Sequence, residues 1–198
     1  GYAPIPMITD ILYRCPSCGR FDWLEADLCR HCNVGFRLVS RSLVEIGGER
    51  KPISHWYRRI LSFDLPVDRA GVILENGRVA LSREAHRGTF KGFSGVTARR
   101  YTRLPFDRGG LTLKEGELVF SGGKESLAVP LGDVVALTIE SDTIIVISRL
   151  LGVLFFDFLA ESGKKWEDLF RHALERFHAP RKIVEFYPRL RFEDSFRP

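Results

Sequence analysis

Apolar positions alternate with polar ones along most of this chain, and two departures from that alternation mark helices. Ile11 and Tyr13, then Phe21 and Trp23, then Val34, Phe36 and Leu38 recur in short runs at a spacing of two across residues 8–40. Between 41 and 66 the period changes. Ile53, Trp56, Tyr57, Ile60 and Leu61 fall on one helical face, Pro52 suits a first helical position, and Gly47-Gly48 and Pro66 break the chain on either side. From residue 70 the strand pattern returns. Residues 72–75 and 78–81 flank Asn76-Gly77, a strong hairpin signal, and 111–113 and 118–120 flank a second turn at 114–117. Residues 98–104, 127–129, 134–140, 144–148 and 153–158 complete the strands, with Ser141-Asp142 as a turn. Helical spacing then resumes in Trp166, Leu169, Phe170, Ala173, Leu174 and Phe177, with Ser162 as N-cap and Pro180 as the stop.

This order predicts a mainly β fold: a β-barrel closed by a C-terminal α-helix and preceded by a small metal module. The expected organisation is an N-terminal segment with that module at 1–40, a linker with an amphipathic helix at 41–66, the barrel and its helix at 67–178, and a tail at 179–198. Ile183, Phe186, Tyr187, Leu190, Phe192 and Phe196 make the tail too apolar to hang free. It is expected to fold back on the barrel or to grip a partner. The first residue is Gly1, as in a processed chain, an expression product or a piece of something longer.

The small module has too few apolar residues for a core of its own, and the cysteines explain how it folds. All four lie in two C-x-x-C knuckles, Cys15-Pro16-Ser17-Cys18 and Cys29-Arg30-His31-Cys32. Two tight turns that each offer two thiolates suit a closed tetrahedral structural zinc site. Arg14, Arg20 and Arg30 stand nearby to offset the −2 charge of zinc with four thiolates, and Gly19 follows the first knuckle where a turn needs positive φ. The alternative is a pair of disulfides, but no secretory signal points to an oxidising compartment. His31 is a spare ligand that a filled shell leaves at the surface.

Charge is uneven. The net +5 divides into +2 over residues 1–66, +5 over 67–106 and −2 over 107–198. The excess concentrates in a stretch containing Arg83, His86, Arg87, Phe90, Lys91, Phe93, Arg99, Arg100 and Arg103, with Gly88, Gly92 and Gly95 between them. Read as a flexible glycine loop, it could dock an anionic lipid surface, with cations at phosphates and the two phenylalanines in the interface. Alternatively, Phe90 and Phe93 pack into the core and the arginines are an ordinary solvated face. Nucleic acid is the rival anion, but Asp22, Glu25 and Asp27 make the metal module a poor phosphate-binding face.

The sequence argues only weakly for other functions. The longest apolar stretch, 143–159, is interrupted by Arg149, Gly152 and Asp157, whereas a spanning helix needs about 20 mostly apolar residues. Neither a G-x-S-x-G elbow, a phosphate-binding G-x-x-x-x-G-K-[ST] loop nor a dinucleotide fingerprint is present. Asp157 is expected to point outward or to meet Arg149.

The motif order Gly110-Leu111-Thr112-Leu113, Leu118-Val119-Phe120, Val129-Pro130-Leu131-Gly132-Asp133-Val134 and Ile144-Ile145-Val146 resembles the GRAM branch of the pleckstrin-homology-like domains. Phe155-Phe156-Asp157-Phe158 followed by Ser162 and Lys165-Trp166 is similar to the end of such domains. A zinc ribbon joined to such a domain also resembles the accessory C-terminal region of some bacterial lysophospholipid acyltransferases. That resemblance implies a non-catalytic module, cytoplasmic and peripheral at the inner membrane face, whose partner is an anionic lipid surface or a protein. The family's catalytic pair, a His with Asp five residues on, is absent: Phe36, Ile60, Lys91, Phe177 and Ile183 occupy those positions after the five histidines. An interaction scaffold is the competing class, in which ribbon and barrel grip another protein.

Overall fold

The computed structural model describes residues 8–91, 95, 97–179, 183–186 and 189–192. The chain forms two compact units, residues 1–64 and 65–198.

In the first unit, a helical turn α1 (Ile8–Ile11) leads into a two-stranded hairpin, β1 (Leu24–Glu25) and β2 (Leu28–Cys29). Ala26 and Asp27 both have positive φ, as a two-residue hairpin turn of this hand requires. A three-stranded meander follows: β3 (Phe36–Leu38), β4 (Leu43–Ile46) and β5 (Glu49–Pro52), turning at Gly47-Gly48. Across it Glu45 lies between Arg50 and Arg37 at 2.5 and 2.8 Å, and these two guanidiniums hold its carboxyl below the usual range. Helix α2 (Ile53–Leu61) starts directly after Pro52 and buries Trp56 and Ile60. These join Leu12, Trp23, Phe36 and Val44 in a single core. Val44, Ile46, Trp56 and Ile60, from the segment 41–66 read as a linker with an amphipathic helix, are thus four of the ten buried residues of this core. The indole N–H groups are satisfied internally, Trp23 Nε1 donating to Leu12 O at 2.7 Å and Trp56 Nε1 to Val44 O at 3.1 Å.

The second unit is a curled half-barrel sheet with one long helix. Its strands are β6 (Val72–Lys91), β7 (Thr97–Lys114), β8 (Glu117–Gly122), β9 (Ser126–Pro130), β10 (Val134–Glu140), β11 (Thr143–Ser148) and β12 (Gly152–Phe158), followed by helix α3 (Gly163–Phe177). The tail adds β13 (Ile183–Phe186) and β14 (Arg189–Phe192), giving the order β13-β14-β10-β11-β12-β6-β7-β8-β9, all antiparallel. The sheet stays open, with edges at β13 and β9, where a closed barrel was expected. The described part of the tail folds back on the sheet, Leu190 pairing with Leu137; Tyr187 and Phe196 lie outside the described residues.

Asn76-Gly77 is not a turn. Strand β6 runs straight through it with a bulge, Leu74 facing Leu113 and Gly77 facing Leu111. The glycine serves a close approach instead: a Cβ on Gly77 would lie 2.4 Å from Cζ2 of Trp166, which α3 presses onto the strand. Ser162 caps α3, accepting from Lys164 N at 3.2 Å, and Trp166, Leu169, Phe170, Ala173 and Leu174 are buried against the inner face of the sheet with Phe156, Leu137 and Val146. The helical stop expected at Pro180 lies outside the described residues.

Candidate functional site

The two knuckles are local copies of one another. In the first, Gly19 N donates to Cys15 O at 2.8 Å and Cys15 N to Arg20 O at 2.9 Å; in the second, Asn33 N donates to Cys29 O at 2.7 Å and Cys29 N to Val34 O at 2.9 Å. Each needs one residue at positive φ in the same place, filled by Gly19 (+74°) and by Asn33 (+57°), the two residue types that tolerate the left-handed region best. This brings the sulfurs of Cys15, Cys18, Cys29 and Cys32 within 4.8 Å of one another.

The distances test what such a cluster fits. Cys15 Sγ lies 3.8 Å from Cys32 Sγ, and Cys18 Sγ 3.8 Å from Cys29 Sγ. A disulfide would place two sulfurs about 2.05 Å apart, so the four cysteines are free thiols. A tetrahedron with metal–sulfur bonds of about 2.3 Å has edges of about 3.8 Å, which both spacings match. The cluster is compatible with a metal ion held by four thiolates. Burial pushes the Cys15 thiol well up. Burial also opposes ionisation of Cys29, but the N–H groups of His31 and Cys32, with the neighbouring thiols, bring it down to about 7. A bound metal ion would offset the charge of four thiolates in so small a volume.

The neighbours hold the knuckles in place. Arg59, on α2, donates from Nε to Pro16 O at 2.7 Å, pinning the first knuckle. Arg14 is buried between aromatic faces, 4.8 Å from the Phe21 ring centroid and 5.7 Å from that of Phe63, and donates to Asp64 O at 3.1 Å. Burial lowers its pKa. His31 lies at the surface, its Nε2 3.1 Å from Phe21 O, and takes no part in the cluster. Sequence reasoning found all four cysteines and Gly19. It missed Asn33, whose only signal is its position one residue after the second knuckle, and Arg59, which no local pattern links to Pro16.

The basic stretch is not a loop either. It forms the outer half of β6 and β7, a two-stranded arm. Strand β12 accompanies β6 no further than Arg83, opposite Leu154, and β8 leaves β7 at Gly109, opposite Gly122. Beyond those points β6 and β7 pair only with each other among the described residues: Glu84 with Arg103, His86 with Tyr101, Thr89 with Arg99, and Lys91 with Thr97. A bulge at Arg87 and Gly88, the glycine at φ +109°, interrupts the register.

Two of the arm's arginines are held at its base. Arg83 stacks on Phe106, 3.9 Å from the ring centroid. Arg103 stacks on Phe155 at 4.8 Å and pairs with Asp157, which also accepts from Thr143 Oγ1 at 2.5 Å. Asp157 thus faces outward and meets Arg103. Further along, Arg87, Lys91 and Arg100 are exposed and make no ion pair among the described residues. Phe90 is 53% exposed, so it is not core, and His86 packs edge-on against Tyr101 at 5.7 Å. Phe93 lies outside the described residues. Glu84 is the one acid in residues 83–104 against six Lys and Arg.

No family model matches the chain, and no curated protein matches it. Among the described residues no helix is long and apolar enough to cross a membrane.

Proposed function

We propose that this chain is a non-catalytic module in which a structural zinc ion organises the first unit and the β6–β7 arm of the second docks on an acidic lipid surface. Zinc is the metal that four thiolates at tetrahedral spacing favour, and a closed shell of four protein ligands leaves no position for substrate. The observation that carries the docking reading is the arm. It is a paired ribbon with six cations, one acid and exposed Phe90 and Tyr101, built on the end of a rigid sheet. Cations near an acidic bilayer contribute on the order of 1 kcal/mol each, and aromatic rings settle at the headgroup level. The seven-strand meander followed by α3 supports the GRAM-like reading, and with the cysteine cluster it supports an accessory region of a larger lysophospholipid acyltransferase.

Co-sedimentation tests the reading. The protein should pellet with phosphatidylserine-containing vesicles far more than with phosphatidylcholine alone, and less as salt rises and screening shortens. Replacing Arg87, Lys91 and Arg100 together by Ala should weaken binding by about 3 kcal/mol, on the order of 100-fold, with the fold intact because all three are exposed. Tighter binding to a DNA or RNA duplex than to acidic vesicles would overturn the lipid assignment, since a two-stranded ribbon also has the width of a nucleic-acid groove.

A further inference from the structure

The turn between β11 and β12 carries Leu150, which at 77% exposure is the most exposed large apolar side chain described. Nothing in its packing explains it, yet the turn is firmly built. Ser148 Oγ accepts from Leu150 N at 3.3 Å and from Leu151 N at 3.2 Å, Arg149 N donates to Asp133 O at 2.9 Å, and Gly152 takes φ +72°. Such a turn presents its tip without an ordering cost on contact.

The register fixes where that tip lies. Leu154 sits opposite Arg83, so two residues back along β12 the strand's first residue, Gly152, is level with Ala85 on the neighbouring strand. The Leu150 turn therefore stands beside the root of the arm, at the same end of the sheet. Leu104, the cross-strand partner of Arg83, is exposed there too at 38%, followed outward by Tyr101 at 47% and Phe90. Of the six exposed large apolar side chains described in this unit, Leu159 lies elsewhere and Phe177 packs over Gly132, beside the Asp133 carbonyl that receives Arg149 N, while Leu150, Leu104, Tyr101 and Phe90 follow one another from the root of the arm outward. Together with the arm's cations they make a surface of mixed character, apolar tips among guanidiniums.

From this juxtaposition we infer that Leu150 is a second membrane contact, a wedge that enters the acyl region of an acidic bilayer while the arm's arginines and lysine hold the headgroups. The inference rests on the acidic-lipid reading of the arm and adds an apolar anchor to it. A polyanion in water gains nothing from a protruding leucine, whereas a bilayer does, because the side chain leaves water for hydrocarbon and flanking arginines keep their heads at the phosphates. Self-association through the same end is opposed by bringing two arms of like charge together.

Two variants test it. Leu150→Trp places a reporter on the tip, while the native Trp23, Trp56 and Trp166 are all buried and stay out of reach of the bilayer. With phosphatidylserine vesicles carrying brominated acyl chains, the variant's extra emission should shift to the blue and be quenched. Leu150→Glu should weaken vesicle binding roughly tenfold to a hundredfold, with an unchanged melting transition because the site is exposed. If the wild-type protein binds acidic vesicles but the Leu150→Trp emission is neither shifted nor quenched, the wedge is wrong and the arm stands alone. Failure of the wild-type protein to bind acidic vesicles at low salt overturns both.

Discussion

Asn33 shows how much a single backbone angle decides. Its φ of +57° closes the second knuckle as Gly19 closes the first, and both N–H groups at these positions return to the first cysteine of their own knuckle. In that region the Cβ of a β-branched residue crowds the following backbone carbonyl. Asn33→Val should therefore destabilise the metal-loaded unit by about 1 to 2 kcal/mol, and Asn33→Gly should be near neutral; chemical denaturation of the two variants checks this. The ligands themselves were legible in the sequence because a knuckle's chemistry is contained in four consecutive residues. Asn33 was not, because asparagine is common in turns of every kind. Arg59 was not, because its partner, a carbonyl of Pro16, lies 43 residues away.

At the level of elements, strand and helix positions followed the apolar period closely. Strand β10 spans residues 134–140 as the alternation predicts, and the Ser162 cap is where the pattern puts it. Connections were harder. Asn76-Gly77 has the composition of a turn, yet the same glycine suits any place where another group must come close. Only the packing of Trp166 distinguishes the two. Gly77→Ala should drive a methyl into the buried indole and destabilise the second unit by roughly 1–3 kcal/mol, read from its unfolding transition. An unchanged transition would mean that α3 can back away from β6. The arm was misread for a related reason. Its three glycines looked like a loop, but Gly88 sits in a bulge, and how far a strand outruns its neighbours depends on pairings that no local pattern reveals. Leu150 was hidden in the same way, inside an apolar run that otherwise forms core.

Over the whole molecule the two units obtain their stability differently. The first holds a small core around the cysteine cluster; the second has a sheet and helix that need no metal. Excess chelator at neutral pH should therefore unfold the first unit alone. Emission from Trp23 and Trp56 should move to the red as they leave their core, while the β signal and cooperative melt of the second unit persist; Cys15→Ser should reproduce that state. Loss of both transitions together would contradict independent folding. The arm's length carries a further consequence. Eight residues from Glu84 to Lys91 at about 3.3 Å each reach roughly 26 Å, about three times the distance over which charges are felt at physiological salt. The cations at its outer half therefore act electrically as a separate object. The acids described from β8 to α3 are screened from them, and an approaching anionic surface meets the arm's charge before it senses the charge of the body.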